Sequence, residues 1–164
     1  MEKILTVKPW IILLSIIILS IFSETIFGKI LYCIWFLLFI YWTLGIGKSL
    51  FEKLKDKSIL NLKRFQTQIF FAVIYMIVIL IFSKKGYEIN VENFTEYGWK
   101  VFIIIPLHLF FMYSIIHSIY FLSKCITTLR NKKEGFGWYM IGFWFFPIGI
   151  FIIQPRIIKL LNND

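Results

Sequence analysis

Twenty-two consecutive residues, Val101–Leu122, contain no Asp, Glu, Lys or Arg. As an α-helix rising about 1.5 Å per residue the run is roughly 33 Å long, enough for the ~30 Å hydrocarbon core of a bilayer. Backbone N–H and C=O groups in hydrocarbon must be satisfied within the segment, which a helix does. The run is therefore predicted to be a transmembrane helix, and the rest of the chain has to be compatible with a membrane.

Composition agrees. A chain of 164 residues that is 59% hydrophobic and 20% aromatic has more apolar surface than one soluble core of that size can hide, so lipid must cover the remainder. The net charge of +9 does not indicate nucleic acid, because the basic residues lie between apolar runs and not along one face. They read as topology signals and as contacts to anionic headgroups.

Taken in order, the apolar runs predict an all-α, multi-pass transmembrane bundle in a single integral membrane domain. Its spans are 9–27, 30–47, 65–83 and 100–123, with a fifth segment, 136–154, interrupted by Pro and Gly. The basic start and the thirteen uncharged residues Trp10–Phe22 also fit a secretory signal peptide. A signal anchor is preferred, because the next apolar run follows almost at once and no alanine-type cleavage site is present. Glu24, between Ser23 and Thr25, is the one acid embedded in an apolar run, either as an intramembrane contact or at the water interface in a tight turn ending at Gly28-Lys29. Tyr32, Tyr41 and Trp42 suit headgroup belts.

Lys48–Arg64 is rich in Lys and interspersed with Leu, Ile and Phe, so it is expected on the cytoplasmic side, as an amphipathic helix on the inner leaflet. Lys124–Lys133 is basic too, and with Lys3 and Lys8 the two connectors place the amino terminus and loops 48–64 and 124–133 on one, cytoplasmic, face. In segment 136–154, Pro147 removes a backbone donor and disfavours helix at Phe146. A kinked crossing is preferred; a re-entrant hairpin turning at Pro147-Ile148-Gly149 is the alternative, and it would keep Arg156 and Lys159 inside.

The stretch Trp144-Phe145-Phe146-Pro147-Ile148-Gly149-Ile150, followed by Gln154-Pro155-Arg156-Ile157, resembles the carboxy-terminal signature of uncharacterised small bacterial multi-pass membrane proteins. Fifteen Lys against three Arg also fit an AT-rich bacterial genome. The resemblance implies no activity.

Side chains able to do chemistry are few. His108 and His117 are nine residues apart, so at 100° per residue they point to opposite faces of one helix and cannot share a metal or haem. A homodimer supplying one of them twice is the remaining route to a haem. Tyr113, Ser114, His117 and Tyr120 recur at helical spacing and form a hydroxyl-rich stripe, readable as a proton relay or as interhelical hydrogen bonding with Ser114 and Ser118 as a close-packing pair. A Ser–His nucleophile would also need an orienting acid and an oxyanion site, and neither is visible. Cys33 and Cys125 have no metal-ligand spacing and are expected to be free thiols.

The expectation is thus a membrane protein without enzymatic activity, cofactor or metal. It binds membrane lipids and a partner in the bilayer, as an accessory or immunity-type protein, with the aromatic cluster Phe136, Trp138, Tyr139, Phe143, Trp144, Phe145 and Phe146 as a docking surface. The alternative is a small oligomeric transporter or channel built on the His117 stripe, His108, Glu24 and the helix break at Pro147 and Gly149.

Overall fold

The computed structural model describes residues 9–21, 25–82, 100–130 and 135–162, and all regular structure among them is helical. The helices are α1 (Pro9–Ile21), α2 (Ile26–Glu52), α3 (Leu62–Phe82), α4 (Lys100–Leu129), α5 (Phe136–Trp144) and α6 (Phe146–Asn162). Three contain segments long and apolar enough to cross a membrane: Cys33–Glu52, Leu62–Ile79 and Phe102–Leu129. The chain divides into two compact units, Met1–Lys63 with Ile119–Asp164, and Arg64–Ser118.

In the first unit, Thr25 begins α2 as its N-cap, its hydroxyl accepting from Gly28 N at 2.9 Å. Gly28 and Lys29 therefore lie in the first turn of α2, so the predicted break between the spans 9–27 and 30–47 falls inside one helix, while residues 22–24 lie outside the described residues. The helix also runs five residues past the predicted end at 47, and Lys48 and Glu52 are i,i+4 neighbours there, 3.9 Å apart. Trp35 Nε1 donates to Ser15 Oγ at 2.8 Å and ties α2 to α1. Trp35, Phe39 and Trp42, four and three residues apart, form a stacked aromatic row along α2. Phe146 meets that row edge-on, 4.6 Å from Phe39 and 5.7 Å from Trp42. Trp42 accordingly belongs to the core and not to a headgroup belt, whereas Tyr41 is exposed.

The core of this unit is fully closed over Leu50, Cys125, Ile126 and Tyr139, and it also buries Thr43, Ser123, Thr127 and Gln154. Helix α6 contributes Ile150, Ile153 and Ile157, whose three- and four-residue spacing gives it one buried face, and it packs on both α1 and α2. Cys33 and Cys125 are free thiols.

Segment 136–154 is not a kinked rod. Residues seven apart on a continuous helix are about 10.5 Å apart along its axis, yet a Cβ built on Gly149 would lie 1.8 Å from the Gly142 carbonyl oxygen. The chain folds back on itself between the two glycines. The break is at Phe145, which ends α5 with its N–H donating to the Ile141 carbonyl at 2.9 Å. Pro147 then falls in the first turn of α6, where its missing N–H breaks no helical bond. The expected turn at Pro147-Ile148-Gly149 is thus displaced toward the amino terminus, and those residues are helical.

The fold-back brings the two flanking arginines together. Arg130 Nη1 donates to the Tyr139 hydroxyl at 2.9 Å, and the Arg156 guanidinium lies 6.0 Å over the Tyr139 ring. Lys53 Nζ donates to the Leu161 carbonyl at 2.7 Å, so the end of α6 is tied to the end of α2. Lys53, Arg130 and Arg156 all belong to this one end of the unit.

Residues 53–61 are irregular and do not form the amphipathic helix expected over 48–64. The reason is local: Asp56 Oδ1 accepts from Ser58 N at 2.9 Å and from Ser58 Oγ at 2.7 Å, an Asx turn that competes with helix. These bonds, the side-chain one first, hold the Asp56 carboxyl below its ordinary value of 3.8. A depressed carboxylate stabilises the turn at pH above the unfolded value, and that contribution disappears as pH falls through the lowered one. The expected result for Ser58→Ala is an Asp56 titration midpoint, followed by NMR, that moves up toward 3.8. An unmoved midpoint would show that the hydroxyl does not hold the turn.

Candidate functional site

Six polar side chains of the second unit, Arg64, Gln68, Tyr75, His108, Tyr113 and Ser114, lie along one seam between α3 and the amino-terminal part of α4. The pairing descends along α3 as it ascends along α4, so the two helices are antiparallel there. Arg64 Nη2 donates to the Tyr113 hydroxyl at 2.6 Å. Ser114 Oγ lies 2.5 Å from Gln68 Oε1 and 2.8 Å from the Phe110 carbonyl, so its single proton is shared between two acceptors. Tyr75 and His108 Nδ1 are hydrogen-bonded at 3.0 Å. Aromatic contacts fill the intervals, with Phe71 edge-on to Phe110 at 4.5 Å and Tyr75 stacked on Phe111 at 4.7 Å.

Ser114 is wholly buried and Gln68 nearly so. A hydroxyl facing hydrocarbon is costly without a partner, and the pair removes that cost for both groups. Ser118 donates back to the Ser114 carbonyl at 2.8 Å, so its hydroxyl is used within α4. The His117 ring lies 5.9 Å from that of Tyr113, and its Nδ1 is a buried atom with no hydrogen-bond partner among the described residues.

The structure thus joins Tyr113, Ser114 and His117 of the expected stripe, and adds Arg64 and Gln68 across the helix interface. His108 belongs to the same seam but meets Tyr75, well away from His117. Tyr120 turns to Phe136, ring centroids 5.5 Å apart. Glu24 lies outside the described residues. Pro147 and Gly149 belong to the α5–α6 fold-back. Among the described residues no three His, Cys, Asp or Glu side chains come together.

Arg64, Gln68 and Tyr75 were not anticipated as site residues. With Phe71 they form a stripe at intervals of four, three and four along α3, the spacing of one helix face. That stripe was the available signal.

No family model matches the chain, and no curated protein or solved structure matches it. The resemblance at Trp144–Ile150 and Gln154–Ile157 rests on those residues alone.

Proposed function

We propose an integral membrane protein that acts without chemistry of its own, by binding a partner inside the bilayer as an accessory or immunity-type protein does. One observation carries the reading: Arg64, Gln68, Tyr75, His108, Tyr113 and Ser114 spend hydrogen bonds between α3 and α4, while the aromatic hairpin α5–α6 presents Trp138, Trp144 and Phe145 outward. Tyr139 and Phe143 of the same cluster are buried and hold the hairpin from within. Exposed aromatics on a rigid support are what a binding surface needs, since large rings lose little freedom on contact.

The topology that goes with this reading has four crossings, made by α1, α2, α3 and α4, and a re-entrant hairpin that enters from the basic, cytoplasmic face and returns to it. In support, Arg130 and Arg156 meet at one tyrosine, whereas a crossing between them would hold them about 30 Å apart. The depth agrees as well. Phe146, at the turn, touches Trp42, and Trp42 lies eleven residues, or about 16 Å, along the chain from Lys53, near half the thickness of the core. The resemblance to small bacterial membrane proteins fits such an architecture.

The test is cross-linking in the native membrane, extraction in mild detergent and mass spectrometry of what co-purifies. A stoichiometric membrane partner whose recovery falls on Trp144→Ala is the expected result. The protein recovered alone, or only as a homo-oligomer, would overturn the reading. The buried Nδ1 of His117 favours a second reading, a small oligomeric transporter or channel in which that ring contacts the substrate. There His117→Phe should abolish flux; unchanged flux removes it.

A further inference from the structure

We infer that the α5–α6 hairpin is a binding site for one anionic phospholipid of the cytoplasmic leaflet, with an acyl chain in the hairpin groove and the headgroup phosphate at Arg156 and Arg130. This inference uses the re-entrant placement proposed above and names a lipid for the hairpin groove, leaving Trp144, which does not line it, to the protein partner. A groove of about 250 Å³ runs between the two arms, lined by Trp138, Ile141, Phe145, Ile148 and Ile152 around the Gly142–Gly149 contact. Its walls are apolar throughout, so it offers nothing to a headgroup and suits an alkyl chain.

The groove has two chemically different ends. At one is the turn, with Phe145 and Ile148 exposed. At the other, Ile152 and Ile153 are followed one helical turn later by Arg156, and Lys159 follows Arg156 at i+3 on the exposed side of α6. Ile148 to Arg156 is eight residues, about 12 Å of helix, close to the ~15 Å depth of one leaflet. A chain in the groove therefore brings its phosphate to the level of the arginines.

Tyr139 sets those arginines in place. It is wholly buried, with the Arg130 guanidinium on its hydroxyl and that of Arg156 over its ring. Both guanidiniums are thereby held against one side chain, Tyr139. Guanidinium is the cation best matched to phosphate oxygens, because its fixed N–H fork can donate twice. An apolar slot whose lining ends about one helical turn before Arg156, with a second guanidinium on the same tyrosine, matches an anionic phospholipid in charge and in apolar character.

The test is native mass spectrometry of the full chain in detergent, titrated with dioleoyl phosphatidylglycerol or dioleoyl phosphatidylcholine. One phosphatidylglycerol should be retained per chain, with about tenfold preference over phosphatidylcholine, and Arg156→Gln should lower its retention about fivefold, as loss of one membrane-surface cation would. Ile148→Trp fills an open part of the groove and should weaken both lipids with the cations intact. Millimolar inorganic phosphate should not displace the lipid.

Equal retention of the two lipids, or displacement by free phosphate, would overturn the inference. So would wild-type retention in Ile148→Trp. If Arg156→Gln does not fold, the wild-type lipid preference and the groove variant still decide. A co-purifying protein partner with no lipid preference removes this inference and leaves the proposed function standing; lipid selectivity without a partner does the reverse.

Discussion

Gly149→Ala is expected to lower the thermal midpoint in detergent by roughly 5–10 °C, the equivalent of about 2–3 kcal/mol in a chain of this size. The methyl group would fall 1.8 Å from the Gly142 carbonyl oxygen and 2.6 Å from its carbon. Those are backbone atoms, so no rotamer change relieves the clash, and the arms of the hairpin must separate. Gly142→Ala is the internal control. Its Cβ meets Ile153 Cδ1 at 2.7 Å and Cγ1 at 3.3 Å, and the far methyl of an isoleucine can swing away about χ2. About 1 kcal/mol is expected there, the mild end of overpacking. Trimming that methyl with Ile153→Val should partly rescue Gly142→Ala and do nothing for Gly149→Ala. Equal damage from the two alanines would mean that the arms are not in backbone contact.

That contact also marks where sequence stops being informative. Gly, Pro and Gly in 136–154 announced an interruption, but periodicity cannot tell a kink from a fold-back. The difference depends on two backbones touching across seven residues, and the pair Gly142 and Gly149 was its only trace. The long apolar runs were readable because lipid imposes length and composition directly. The apolar run of α4 was plain from Val101 to Leu122, although the helix goes on to Leu129, since Lys124 ends a charge-free run without ending a helix. Helix ends were not legible even where a side chain sets one: Thr25 caps α2, whereas the apolar runs put the break at 28–29. The irregular connector was obscured because its Leu and Lys content imitates an amphipathic helix, while Asp56 and Ser58 quietly favour a turn. Of the seam, the α4 half was visible as Tyr113, Ser114 and His117; the α3 half was not, because one glutamine and one tyrosine in an apolar helix are individually unremarkable.

Gln68 and Ser114 permit a test of what the seam contributes, because the two partners are not equivalent. In Gln68→Leu the Ser114 hydroxyl keeps an acceptor in the Phe110 carbonyl. The loss is then only the interhelical bond, worth about 0.6 kcal/mol on average in membrane proteins, partly offset by the apolar replacement. In Ser114→Ala the Gln68 carbonyl is left almost wholly buried without that donor. An orphaned polar group costs about 1–3 kcal/mol, so the smaller deletion should be the more damaging one. The double variant removes the orphan together with its partner and should be more stable than Ser114→Ala alone. Thermal unfolding of the three variants in one detergent measures this non-additivity directly. If Ser114→Ala is no worse than Gln68→Leu, the glutamine finds another donor in the bilayer and the seam is held by its aromatic packing. The expected ordering instead makes the buried hydroxyl the residue that obliges α3 and α4 to pair in this register.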